Sequence, residues 1–277
     1  SGLTISKIDY ISDAKAIAYA TTTGTETNGT TITVSCGTAS ETTTLKVIES
    51  VTSYAVGDII LTDGSKVSVA NVETYTIDEN NKPIGVVAMI SDIYGVPTPK
   101  VIGLQKSAST LKWAPSGTTG YNTKFTNIVC EASQTGSGAA SIATFTGDTE
   151  GSDNWAEICA VDPEGTQDPA TNYPIFNFAN TYGTTAGLTG TDYENGWYVP
   201  SIAELCEVYK NKGVIQTSLT KVNGFKFGKS FYWSSSLVAS YYYNASQVFF
   251  SNGEVDYYYG FKDAEDYVFV LQALTAK

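Results

Sequence analysis

Short apolar runs punctuated by Gly, Asn and Asp recur along most of this 277-residue chain, and a helical period surfaces at only two places. Alternation in Thr31-Ile32-Thr33-Val34 and Leu45-Lys46-Val47-Ile48 predicts half-buried strands, inside a Thr-rich stretch from Ile17 to about Ser50. The character changes at Val51-Thr52-Ser53-Tyr54. Beyond it, Val56-Gly57-Asp58-Ile59-Ile60-Leu61 reads as a strand running into an Asp63-Gly64 turn, and 82–90 and 101–104 read as buried strands. Residues 110–174 are rich in Gly, Ser, Thr and Asn, which predicts loops with short helices. Ile175, Phe178 and Ala179 share a helical face. A clearer helix follows Pro200: Ser201 and Glu204 have capping-box spacing, and Ile202, Leu205, Cys206 and Tyr209 form its apolar stripe. Asn211 and Gly213 end it, and strands and loops are expected from there to the C-terminus.

That C-terminal stretch carries strand-forming runs at Tyr232-Trp233-Ser234-Ser235-Ser236, Gln247-Val248-Phe249-Phe250 and Tyr267-Val268-Phe269-Val270-Leu271. Between them lie two aromatic clusters, Tyr241-Tyr242-Tyr243 and Tyr257-Tyr258-Tyr259-Gly260-Phe261. Neighbouring residues on a strand point to opposite faces, so three consecutive tyrosines cannot all be core. Tyrosine offers a large, rigid, amphipathic contact surface at low entropic cost, and such clusters therefore suggest a binding surface.

Composition narrows the function. At 42% hydrophobic and 12% aromatic, the chain can bury a large core. Sixteen basic residues, all lysine, stand against 28 acidic ones, for a net charge of −12. No basic patch and no guanidinium is available, so nucleic acid and anionic membrane surfaces are poor partners. There is no histidine, which removes Ser-His-Asp and Cys-His catalysis and histidine-ligated zinc. Cys36, Cys130, Cys159 and Cys206 form no CxxC pair; Cys206 reads as a buried thiol, and Cys130 with Cys159 is the candidate disulfide. No cofactor and no metal site is expected. No run approaches the roughly 20 apolar residues of a membrane span, and Ser1-Gly2 fits a chain cut from a longer precursor, which leaves room for a lipid anchor ahead of Ser1.

Two blocks carry a family resemblance: Gly196-Trp197-Tyr198-Val199-Pro200-Ser201-Ile202-Ala203-Glu204-Leu205, and then Tyr232-Trp233-Ser234-Ser235-Ser236 followed by Phe250-Ser251-Asn252-Gly253-Glu254-Val255. In this order they resemble the C-type-lectin-like domain of the formylglycine-generating-enzyme type, in particular the variable proteins diversified by retroelements, treponemal lipoproteins among them. The resemblance covers roughly 56–274. It implies a loop-rich α+β fold over 53–277, preceded by a small Thr-rich, β-leaning module or stalk over 1–52. It also implies that the strands at 56–61 and 267–271 pair side by side, that Trp233 lies on a central strand, and that Trp197, Trp233 and Phe250 are scaffold.

In these relatives adenine-directed mutagenesis of AAC codons reaches Tyr, Ser, Asp, Phe and Leu, among others, but not Glu, Gln, Lys, Trp or Met. Applied to a variable region at about 233–274, this filter fixes Trp233, Gln247, Glu254, Lys262, Glu265 and Gln272. The candidate variable, ligand-binding residues are then Leu237, Ser240, Tyr241, Tyr242, Tyr243, Ser246, Asp256, Tyr257, Tyr258, Tyr259, Phe261 and Asp263. The chain departs from the catalytic branch of the superfamily, because none of its cysteines lies in the C-terminal part.

The leading expectation is a non-catalytic receptor or adhesin on the cell surface, an outer-membrane lipoprotein, binding a protein or other macromolecule of a host or neighbouring cell. A carbohydrate-binding lectin is the first alternative, although Asp256, Asp263, Glu265 and Asp266 lack a calcium-ligand spacing. A formylglycine-generating or glycosidase-like enzyme using Asp263 and Glu265 is the second.

Overall fold

In the computed structural model the backbone is described for residues 3–12, 15–22, 31–36, 39–44, 54–93, 96–258 and 260–274, and side chains for 54–91, 97–258 and 260–274. The chain divides into two units, one built on Ser1–Ser53 with Asp92–Pro97, the other on Tyr54–Ser91 and Thr98–Leu274.

The first unit contains two antiparallel pairs: β1 (Leu3–Ser12) with β2 (Lys15–Thr22), and β3 (Thr31–Cys36) with β4 (Ala39–Thr44). The alternating run at Thr31 falls on β3, in unbroken register from Thr31 opposite Thr44 to Cys36 opposite Ala39. The run at 45–48 lies outside the described residues.

In the second unit, Ile59–Leu61 (β5), Lys66–Val67 (β6) and most of Pro83–Ile93 (β7) and Val96–Lys106 (β8) are followed by Cys130–Ala132 (β9) and Phe145–Gly147 (β10). Phe231–Leu237 (β11), Ala245–Phe249 (β12), Glu254–Asp256 (β13) and Phe269–Ala273 (β14) complete the strands. The larger sheet runs β14-β8-β7-β5-β6, and a second runs β11-β12-β13. The first and last strands of the unit share a sheet, as expected, but they are not neighbours. One side of the three-residue β5 is taken by β6 and the other by β7, and the neighbouring strands β7 and β8, eleven residues each, fill the space between β5 and β14. β11 is interior: β12 lines one edge, while single bridges from Leu237 to Val129 and from Tyr232 to Tyr267 line the other.

Helices fill the long connections: α1 (Thr119–Asn122), α2 (Ala139–Ile142), α3 (Asn154–Val161), α4 (Pro169–Asn172), α5 (Pro174–Thr185), α6 (Ile202–Lys210) and α7 (Lys212–Lys221). The capping box at α6 forms, with Glu204 N donating to Ser201 Oγ at 3.2 Å and Ser201 N donating to Glu204 Oε2 at 2.9 Å. Glu204 does more than cap. It is buried against Lys100, accepts from the Tyr198 hydroxyl at 2.8 Å, and leaves Lys100 to reach Glu150 at 2.6 Å, so every charge in the cluster has a partner. Gly213 does not end the helical region. Asn211 closes α6 and opens α7 at once, because Ile215, Ser218 and Leu219 recur at helical spacing and bury a second face.

The interior has two apolar clusters, and single strands feed both. Tyr232, Val248, Phe269 and Leu271 belong to one, while Trp233, Leu237, Val268 and Val270 belong to the other. Trp197, Trp233 and Phe250 are buried scaffold, with the indoles donating to Tyr193 O at 2.7 Å and Leu111 O at 2.8 Å. Cys130, Cys159 and Cys206 are free thiols, so the candidate Cys130–Cys159 disulfide is not formed. Burial pushes the Cys130 thiol up to about 12, which keeps it protonated and unreactive.

Candidate binding surface

The aromatic clusters sit on two loops that the backbone ties together. β11 and β12 pair with a bulge between Trp233 and Leu237, and the chain turns through 238–244, where Asn244 N donates to Tyr241 O at 2.9 Å. The second loop leaves β13 at Asp256. Its carboxylate accepts from Tyr258 N at 3.0 Å and from Gln247 Nε2 at 3.1 Å, which sets the direction of the departing chain.

Asn244 joins the loops. Its buried amide donates to Tyr257 O at 2.7 Å and Tyr258 O at 2.9 Å, satisfying two carbonyls that the strands leave unpaired. Main-chain bonds from Ala245 N to Gly260 O and from Lys262 N to Tyr243 O, both 2.8 Å, continue the seam. Residue 260 must be glycine, because a Cβ there would collide with Ala245 O.

With the backbones so placed, the rings of the two clusters meet. Tyr241 lies 5.4 Å from Tyr258 and 6.3 Å from Tyr257, centroid to centroid, and Tyr257 and Tyr258 are 4.5 Å apart. Tyr242 and Tyr243 pack at 3.9 Å with their hydroxyls bonded at 2.6 Å. Tyr243 then reaches Tyr121 of α1 at 5.3 Å. Apart from the closer Tyr242–Tyr243 contact, these separations suit edge and offset aromatic packing, which holds each ring without burying it. Tyr241 is 43% exposed and Tyr258 49%.

Beneath the surface Lys262 braces the second loop. Its ammonium donates to Gly120 O and Thr123 O, each at 2.9 Å, and lies over the rings of Trp113 at 4.9 Å and Phe125 at 5.2 Å. Burial pulls this amine down to about 7. It ties the α1 turn, and Tyr121 with it, to the loop that carries Phe261.

The candidate residues therefore divide. Ser240, Tyr241, Tyr242, Tyr243, Tyr258 and Phe261 are exposed, and Tyr257 and Asp263 are half-buried. Tyr259 lies outside the described residues. Three candidates do not face solvent: Leu237 is core, Ser246 is buried on β12, and Asp256 spends its carboxylate on the loop. For Leu237 and Ser246 the physical reason is that β11 and β12 are covered on both faces, so period-2 alternation places no residue of theirs on the surface; Asp256, at the end of β13, is turned inward by its bonds to Gln247 and Tyr258 N. Tyr121, Asn244 and Glu131 were not among the candidates. Glu131 Oε1 accepts from Ala239 N at 3.3 Å, and its charge bears on Tyr257. Tyr121 lies in a four-residue helix with no periodic signal, and only tertiary contact brings it here.

Two carboxylates stand beside the rings, Glu131 near Tyr257 and Asp263 near Tyr121. The Tyr257 hydroxyl is pushed up to about 12, first by its hydrogen bond with Tyr258 and then by burial. Burial, with Asp263 nearby, also raises Tyr121. Among the described residues, no group of three or more His, Cys, Asp or Glu is placed to hold a metal ion, and no helix is long and apolar enough to cross a membrane.

No family model and no curated protein matches the chain. Its fold is similar to that of a crystal structure described as a fimbrial protein from Bacteroides ovatus, with a TM-score of 0.52 at 18% identity. The match covers 79% of this chain and 49% of the fimbrial protein, so the chain spans about half the length of that neighbour. At this identity the likeness concerns the fold, a mixed α and β architecture with antiparallel sheets and long loops.

Proposed function

We propose that this chain is a non-catalytic, surface-displayed ligand-binding protein, a receptor or adhesin, and that its recognition face is the tyrosine surface of loops 238–244 and 257–263. One observation carries the reading: Tyr241 packs against Tyr257 and Tyr258, so two clusters separated in sequence become one exposed aromatic surface. Rigid aromatic anchors of this kind dominate binding energy at protein interfaces. The name of the fimbrial neighbour is in keeping with a place at the cell surface. A chain with neither histidine nor arginine is better equipped for recognition than for acid–base chemistry.

The proposal extends to origin: a C-type-lectin-like domain of the formylglycine-generating-enzyme type, anchored at the cell surface and varied by a retroelement. The division of labour in the loops supports it. Main-chain bonds and the Asn244 amide hold the backbone, so side-chain identity at 240–243, 257, 258 and 261 can change while the loop path stays. A near-copy of the 3′ end of the gene, differing mainly at adenines and lying beside a reverse-transcriptase gene, is the expected genomic arrangement; its absence overturns this part.

Binding is tested with labelled protein on intact host or neighbouring cells. Replacing Tyr241, Tyr243, Tyr257 and Tyr258 by Ser is expected to weaken attachment at least about thirtyfold, the equivalent of about 2 kcal/mol from one central anchor. Attachment unchanged by the substitutions, or abolished by a calcium chelator, would refute the reading.

A further inference from the structure

The charge distribution around the rings points to the chemistry of the partner. From Phe231 to Leu274 the chain carries Glu254, Asp256, Asp263, Glu265 and Asp266 against one lysine, Lys262, although Asp256 is buried and engaged by Gln247 and Tyr258 N, and the Asp266 carboxyl is pushed up by burial. That lysine is wholly buried and aimed inward at Gly120 O and Thr123 O, so this segment offers no cation to solvent among its described side chains. Glu131 adds a carboxylate at the edge of the first loop, bonded to Ala239 N. The exposed faces of Tyr241, Tyr242, Tyr243 and Tyr258 thus have two carboxylates beside them, Glu131 next to Tyr257 and Asp263 next to Tyr121, in a chain of net charge −12.

We infer that the tyrosine surface recognises a cationic protein segment, one that lays arginine or lysine side chains over the phenol rings and against Glu131 and Asp263. This rests on the tyrosine surface being the recognition face, as proposed above. A ring face is negative in its quadrupole and attracts a guanidinium or ammonium within about 6 Å, and the effect grows as water is excluded. The two carboxylates supply the bidentate, charge-assisted bonds that a guanidinium fork takes. They also attract a positive segment at long range and repel an acidic one. A neutral glycan could stack on the rings and donate its hydroxyls to the carboxylates, but it would gain neither the charge attraction nor the cation–ring contact.

The test pans the intact protein against a random phage-displayed peptide library and a neutral glycan array, beside the Tyr241/Tyr243/Tyr257/Tyr258→Ser variant. Peptides held by the wild type and lost on the variant are expected to be rich in Arg and Lys and poor in Asp and Glu. Their synthetic forms are expected to weaken about fivefold between about 0.05 and 0.3 M salt, and by a similar factor in Glu131→Gln/Asp263→Asn. Lys124→Gln, which removes an exposed lysine next to the α1 turn, is expected to leave affinity equal or tighter. Tyrosine-dependent peptides that are neutral or acidic, or glycans bound in place of peptides, overturn the cationic partner and leave the binding surface standing. Ligands held equally by the variant overturn both.

Discussion

Tyr232 and Tyr241 belong to the same C-terminal stretch and the same hairpin, yet one is wholly buried and the other is 43% exposed. Tyr232 sits on β11, inside a ring cluster with Phe227, Phe250, Tyr267 and Phe269, and its hydroxyl accepts from Gly228 N at 3.2 Å. Tyr241 sits on the loop just past that strand, and its ring packs against Tyr257 and Tyr258 of the second loop. The difference lies in the backbone that carries each residue. A strand covered on both faces makes any side chain core, whereas a loop tied by its own main chain can display side chains that the fold does not need.

The contrast can be broken from either side. The largest effect is expected on the strand: Trp233→Ala removes a fully buried indole and its bond to Leu111 O, and should cost about 3–5 kcal/mol in chemical denaturation. Loss of less than about 1 kcal/mol would mean that β11 is not the scaffold described. Next comes the tie between the loops. Asn244→Ala orphans the carbonyls of Tyr257 and Tyr258 and should cost about 1–3 kcal/mol, with faster hydrogen exchange confined to the two loops and β13.

A pH series sharpens the boundary between loop and strand at Asp266. Burial, with Asp256 adding to it, pushes this carboxyl up from 3.8 to about 7. The folded protein therefore holds a proton that the unfolded chain has lost, so the contribution of the group is complete below 3.8 and disappears as pH rises through about 7. Melting temperatures of Asp266→Asn relative to wild type should accordingly shift in favour of the variant between about pH 4 and pH 8. A gap that stays constant across this range would place Asp266 in open solvent.

The smallest effect is expected where the rings are most conspicuous. Converting Tyr241, Tyr243, Tyr257 and Tyr258 to Ser together should leave a cooperative melt, each change shifting stability by no more than about 0.5 kcal/mol. Cooperative unfolding lost in this variant would make these tyrosines structural and erase the contrast with Tyr232.

Patterns that depend on near neighbours were legible in the chain itself. The capping box of α6, the helical face around Ile175, the Asp63-Gly64 turn and the strand at Tyr232 all arise from residues within a turn or two of one another, and each appears where the pattern puts it. That three consecutive tyrosines could not all be buried followed from strand alternation alone. Folding in three dimensions decided what depends on distant segments: the strands β7 and β8 lying between β5 and β14, the partnership of Lys100 with Glu204, and the burial of Leu237, Ser246 and Asp256. It also decided that the two tyrosine clusters meet through Asn244 and that Tyr121 joins them from α1. Local periodicity records which side of an element a residue occupies, but exposure depends on what covers that side, and here the cover comes from remote parts of the chain.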